Sequence, residues 1–254
     1  MILETKDDLE KLKHIGSIVA DTLAYMKKKA CVGMTTKELD DIGGEYLKQH
    51  RARSAPILTY NFPGYTCISV NHHIAHGIPS EKILKSGDLV NIDVSAELDG
   101  YFADTGGSFL LDSDKPFYEK LCTATIEAMY AGISAAQHGA KISAIGKAIE
   151  KIARKHKFSI IENLGSHGVG RALHEEPKYI PSIFDAKDQR ILKKGMVITV
   201  EPFLATGDKY ANQEDDGWTL SVRTKHRAAQ FEHTIVITEE EPIILTQPSF
   251  GKFF

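Results

Sequence analysis

A ten-residue pattern that occurs twice is the strongest constraint on how this 254-residue chain can fold. Leu84-Lys85-Ser86-Gly87-Asp88-Leu89-Val90-Asn91-Ile92-Asp93 returns as Leu192-Lys193-Lys194-Gly195-Met196-Val197-Ile198-Thr199-Val200-Glu201. Each copy is a Leu-Lys-x-Gly turn, then an apolar alternation of period two, then a carboxylate six residues past the glycine. That alternation predicts a strand in each copy. Helical patterns precede both, as does a His-Gly pair: His76-Gly77 in the first, His167-Gly168 in the second. Turn-plus-strand is common in proteins, so the shared position of the carboxylate carries the weight. The chain reads as two related halves, about residues 1–115 and 116–254, folded together as one domain.

Helical periodicity flanks the strands. Leu9, Leu12, Ile15, Ile18, Val19, Leu23 and Met26 recur at three- and four-residue steps, and Lys27-Lys28-Lys29 suits the helix C-terminus. Thr35 with Glu38 forms a capping box for a second helix reaching about His50. A third helix is expected from about Pro116 to His138, and a fourth from Ile142 to His156 with Ile142, Ile145, Ile149 and Ile152 on one stripe.

Composition narrows the class of molecule. Apolar residues at 42% and charged residues at 26% describe an ordinary folded protein rather than a disordered one. No apolar run exceeds four residues, so neither a membrane span nor a signal-peptide core is present. The net charge of −3 gives no reason to expect nucleic acid or a bilayer as partner. Cys31, Cys67 and Cys122 are odd in number, far apart and in no C-x-x-C pair, as reduced cytoplasmic thiols would be.

The carboxylates suggest chemistry. Val90, Ile92 and Val94 alternate with Asn91, Asp93 and Ser95, and Asp99-Gly100 is a strong two-residue hairpin signal. With a type I′ turn, Leu98 faces Tyr101 and Ser95 faces Asp104. Asp93 is then diagonal to Asp104 on the same face, with Cα atoms roughly 7–8 Å apart. Two inward carboxylates repel unless a cation lies between them. Glu201 ends the second-half strand, and Phe231 to Ile237 reads as another strand carrying Glu232. Four carboxylates on one sheet surface can hold two divalent cations roughly 3.5–4 Å apart. Oxygen-rich ligation with one imidazole favours Mn, Fe(II) or Co over a purely structural zinc. Singly, each of these residues has an ordinary reading as an edge, turn or loop residue; the set makes the case.

Other signatures fail. His174-Glu175-Glu176 is not H-E-x-x-H, because Lys178 occupies the last position. Gly168-x-Gly170 lacks the third glycine of a dinucleotide fingerprint, and neither a P-loop nor a G-x-S-x-G elbow occurs.

Cys67-Ile68-Ser69-Val70-Asn71, His76-Gly77-Ile78-Pro79, Asn91-Ile92-Asp93, Asp104-Thr105, Ser166-His167-Gly168-Val169-Gly170, His174-Glu175-Glu176-Pro177, Glu201-Pro202 and Glu232-His233-Thr234 follow one another in the chain. In that order and spacing they resemble the type I methionine aminopeptidases, from about Asp8 to Leu245. The resemblance implies an α+β, pita-bread fold: a pseudo-twofold, curved antiparallel sheet flanked by helices, forming a single catalytic domain. It implies two divalent metal ions (Co, Mn, Fe(II) or Zn), with Asp93 chelating one, His167 and Glu201 binding the other, and Asp104 and Glu232 bridging. Glu201 is the family's proton acceptor, His76 its contact to the scissile amide, and His174 its donor to the carbonyl oxygen. The methionine slot matches at Phe62, Cys67 and Trp218, whereas Thr59 stands where a Tyr is usual and Leu173 replaces a common Phe.

The implied activity is removal of the initiator methionine from polypeptides whose second residue is small. The implied setting is a cytoplasmic monomer, with the peptide or nascent-chain N-terminus as partner and the ribosome a transient neighbour. Only 26 residues separate His174 from Glu201, which excludes the helical insertion of type II enzymes. An Xaa-Pro aminopeptidase on the same fold is the nearest alternative, although 254 residues leave no space for its separate N-terminal domain. A catalytically silent pita-bread binding protein is the other, but all five presumed ligands are present.

Overall fold

Capping fixes where the first helices begin in the computed structural model, which describes residues 1–249. Thr5 and Asp8 cap each other's backbone at the start of α1 (Lys6–Lys29), and Thr35 and Glu38 do the same for α2 (Thr36–Gln49). The stripe of Leu12, Ile15, Val19, Leu23 and Met26 is buried, as its spacing requires. After β1 (Arg53–Ser54) comes a short helix that periodicity did not announce, α3 (Ala55–Tyr60). Ser54 caps it, a proline occupies its first turn, and Asn61 ends it in a left-handed conformation.

The first half continues with β2 (Cys67–Val70), β3 (His73–Ala75), β4 (Leu89–Leu98) and β5 (Tyr101–Leu110). The second half opens with α4 (Pro116–Ala135) and α5 (Ser143–His156), followed by β6 (Ser159–Ile160), β7 (Gly165–Gly168) and β8 (Glu175–Pro181). It then runs through β9 (Val197–Val200), β10 (Phe203–Ala205), β11 (Asn212–Gln213), β12 (Leu220–Ser221), β13 (Ala228–Gln230), β14 (His233–Val236) and β15 (Ile243–Ile244). Helix α4 stops three residues before the expected His138, the chain turning at Gly139 with φ 80°.

The internal echo is physical. Gly87 and Gly195 both have φ of 82°, the left-handed turn that favours glycine. Their N–H groups donate to Leu111 and Ile237, each at 2.8 Å, and Leu84 and Leu192 are both fully buried. Leu84 exchanges backbone hydrogen bonds with Gly33 and Met34 as Leu192 does with Gly139 and Ala140. One apolar core lies beneath α1 and α2, a second beneath α4 and α5.

All strand pairings are antiparallel. β4 pairs along its whole length with β5, and with β2 and β1 in succession; the second-half sheet runs β15-β14-β9-β7-β8. The two sheets meet where β5 runs beside the start of β14. Asp104 N–H donates to Thr234 Oγ1 at 3.0 Å, and that hydroxyl donates back to the Asp104 carbonyl at 2.7 Å. Glu232 N–H donates to the Gly106 carbonyl at 2.9 Å, and Thr105 Oγ1 to the Glu232 carbonyl at 2.8 Å. The result is the pita-bread α+β arrangement, with α1 against β4 and β5 and α4 against β9, β10 and β13. No helix among the described residues is long and apolar enough to cross a membrane.

Candidate metal centre and its cavity

The hairpin has the register expected from its turn. Leu98 faces Tyr101, Ser95 faces Asp104, and Asp93 faces Gly106, so Asp93 and Asp104 are diagonal neighbours on one face. Asp99 and Gly100 take φ of 51° and 81°, both left-handed as a type I′ turn demands. Glu97 reinforces the turn by accepting the Gly100 N–H at 2.6 Å and pairing with Arg53.

The other two carboxylates lie just outside their strands, at the seam between the sheets rather than on one sheet's face. Glu201 follows β9 directly, because Pro202 has no N–H with which to extend the ladder. Glu232 precedes β14, because its N–H is spent on Gly106 of the other half. The strand expected over Phe231 to Ile237 is therefore four residues long.

Around that seam the side chains converge. Asp104, His167 and Glu232 each offer a ligand atom within 4.8 Å of the others, all buried. His167 Nε2 is 3.5 Å from Glu201 Oε1 and 3.7 Å from Asp104 Oδ2. His167 Nδ1 lies 3.0 Å from the Gly168 carbonyl and donates to it, which leaves Nε2 with a free lone pair. Asp104 Oδ1 and Glu232 Oε1 are buried with no hydrogen-bond partner. Burial pushes Asp93 up to about 6. Burial, with neighbouring carboxylates second, lifts Asp104, Glu201 and Glu232 well above the carboxylate range. Burial, with His174 second, holds His167 down to about 3. Orphaned oxygens, mutually repelling carboxylates and a neutral imidazole are what a divalent cation satisfies. The residues fit a metal.

Asp93, Asp104, His167 and Glu201 of this cluster line a cavity of about 400 Å³. Phe62, Cys67, Leu173 and Trp218 supply apolar wall, with the Phe62 and Trp218 rings edge to face at 5.2 Å. His76 and His174 also line it. His76 adopts φ of 51°, a conformation costly for a residue with a Cβ. The next residue, Gly77, runs so close to the Ile68 carbonyl that a Cβ would sit 2.3 Å from it.

Against this geometry the comparisons are decisive. The family model for metallopeptidase family M24 matches residues 10–239. The chain belongs to metallopeptidase family M24. Within M24 it groups with the methionine aminopeptidases. It is 48% identical over 248 residues to methionine aminopeptidase 2 of Bacillus subtilis, covering 97% of this chain and 100% of that protein. The crystal structure of methionine aminopeptidase from Rickettsia prowazekii superposes with a TM-score of 0.92 at 37% identity, over 97% of this chain and 100% of that one. A prolidase from Pyrococcus furiosus shares the fold at 22% identity and TM-score 0.77, with 66% of its length covered. The prolyl and non-catalytic alternatives are not favoured.

The M24 site also contains residues that motif reading passed over. Thr59 is exposed and is not part of the cavity lining; Tyr60 lines the cavity, its hydroxyl 2.6 Å from His174 Nδ1. Thr199 Oγ1 accepts the His167 N–H at 3.0 Å and donates to Glu201 Oε1 at 2.9 Å, linking two candidate ligands through one hydroxyl. Gln230 Nε2 donates to Glu232 Oε2 at 3.0 Å, and Asn91 Nδ2 fixes the amide by donating to its Oε1 at 2.8 Å. Thr199 and Gln230 each precede their glutamate by two residues, the same-face spacing of an extended chain.

Proposed function

We propose that this metallopeptidase removes the N-terminal methionine from polypeptides whose second residue is small. Asp93, Asp104, His167, Glu201 and Glu232 would hold two divalent cations. Such cations, when bound, supply Lewis acidity that brings the pKa of water to about 7 and polarises a carbonyl. Glu201 takes the proton from the attacking water. His174 donates a hydrogen bond to the carbonyl oxygen as charge develops there, and His76 contacts the scissile amide. Phe62, Cys67, Leu173 and Trp218 receive the unbranched thioether side chain. We read residues 1–254 as one catalytic domain of two halves, acting as a cytoplasmic monomer on nascent chains near the ribosome.

The observation that supports this reading most is the buried group of Asp104, His167 and Glu232, with Asp104 Oδ1 and Glu232 Oε1 unpartnered, beside an apolar-walled cavity that Asp104 and His167 line. The test is methionine release from Met-Ala-Ser by metal-stripped protein with Mn, Fe(II), Co or Zn restored. Met-Phe-Ser, Ala-Ala-Ser and an Ala-Pro peptide are the comparisons. Metal-dependent cleavage of Met-Ala-Ser alone is expected. Preference for the Ala-Pro peptide, or no cleavage with any metal, overturns the assignment.

A further inference from the structure

We propose that the Tyr60 hydroxyl fixes His174 as the tautomer protonated on Nε2, making Tyr60 a positioning residue for the hydrogen bond that His174 gives to the substrate carbonyl. The inference rests on the role proposed above for His174. Its geometry stands apart from that role.

Tyr60 Oη and His174 Nδ1 are 2.6 Å apart, and the two rings lie 5.7 Å apart between centroids at 47°. A phenol of ordinary pKa about 10 keeps its proton at neutral pH and is a better donor than acceptor, whereas an unprotonated imidazole nitrogen is a strong acceptor. The short contact is therefore O–H to Nδ1, which leaves the ring proton on Nε2. Among the described residues no protein hydrogen bond engages Nε2, and His174 lines the same cavity as Asp93, Asp104 and Glu201. A neutral N–H directed into that space is the donor an incipient oxyanion needs.

Both partners are held in place independently of each other. Tyr60 is the last residue of α3, a helix capped by Ser54, whose hydroxyl also donates to the Tyr65 carbonyl at 2.8 Å. The turn bearing His174 is tied by the Glu175 carboxylate, which accepts the N–H groups of Arg171 and Ala172. The His174 ring also packs 4.1 Å, centroid to centroid, from the ring of His167. The ring that donates to substrate is thus held against a phenol and a candidate metal ligand.

The test is the nitrogen spectrum of zinc-loaded, 15N-histidine-labelled protein, with the His174 signals identified by their loss in His174→Gln. In the unmodified protein His174 should show a protonated Nε2 and an unprotonated Nδ1. Tyr60→Phe, which keeps the ring and removes one oxygen, should move the His174 pair toward a mixture of tautomers while the other histidine signals stay in place. In the same variant kcat for Met-Ala-Ser should fall roughly 5- to 30-fold with KM within about two-fold, less than the 100-fold or more of losing a donor outright. A proton found on Nδ1 in the unmodified protein, or an unchanged His174 pair in Tyr60→Phe, overturns the proposal. The spectrum does not depend on turnover. Failure of the peptidase reading would show as absent methionine release from the unmodified protein, and failure of the tautomer assignment as the wrong nitrogen pair.

Discussion

Asp104 has one carboxylate oxygen without a partner, deep in the protein and beside Asp93 and Glu232. Replacing it tests at once whether the cluster exists for a cation. Asp104→Asn should abolish metal-dependent turnover. It should also leave the metal-free protein as stable as before or more so, by roughly 1–2 kcal/mol, because an amide is buried neutral without having to take up a proton. Urea unfolding with and without zinc measures both effects. If Asp104→Asn is instead strongly destabilising without metal, the residue is a structural hydrogen-bond partner first. At this scale the sequence was informative where a residue type is chemically rare in its setting, as Asp93 and Asp104 are in one hairpin. It was silent where ordinary residues are recruited: nothing about Thr199 or Gln230 marks them except a two-residue offset from a glutamate. Tyr60 was passed over for a related reason, since a helix end decides which of two adjacent side chains turns toward the cavity.

The β4–β5 hairpin was the most legible element, because a two-residue turn with two left-handed positions leaves a single register. Helices α1, α2 and α5 were legible from caps and stripes. Helix α3 was not, since six residues are too few for a period to repeat. Nor could periodicity place Glu232 outside β14, because the competing partner of its N–H is on the far half of the chain. That seam offers a test of elements rather than single groups. A Cβ at Gly106 would meet Gln230 Oε1 at 2.4 Å, so Gly106→Ala must displace the amide that steadies Glu232. The expected cost is about 1–3 kcal/mol of stability and roughly tenfold in metal affinity, read by denaturant titration and calorimetry. Unaltered metal affinity would show that Gln230 does not orient Glu232.

For the whole molecule the clustered carboxylates imply a pH dependence with a definite sign. Above about pH 6.5 an unperturbed imidazole is mostly neutral, so His167 and His233, held low in the fold, add little there. The carboxyls of Asp104, Glu201 and Glu232, held well above their usual range when folded, retain protons that the unfolded chain has released. Folding is therefore penalised increasingly as pH rises. Below that point His167 at about 3 and His233 at about 4 oppose the trend, since the unfolded chain gains protons that the folded one refuses. Metal-free protein should melt roughly 4–8 °C lower at pH 8.5 than at pH 6.5, and saturating zinc should remove the difference. A higher melting point at pH 8.5 without metal would contradict the burial of these groups. The seam between the halves has one more consequence, for the order in which the molecule comes into being. Asp93 and Asp104 leave the ribosome 97 or more positions ahead of Glu201, and 128 or more ahead of Glu232 and the strand that clamps Asp104. A growing copy that has reached Gln230 still lacks one wall of its own centre. Ended there, it should neither release methionine nor gain melting temperature from zinc, and the enzyme stays inert until Glu232 and β14 have been made.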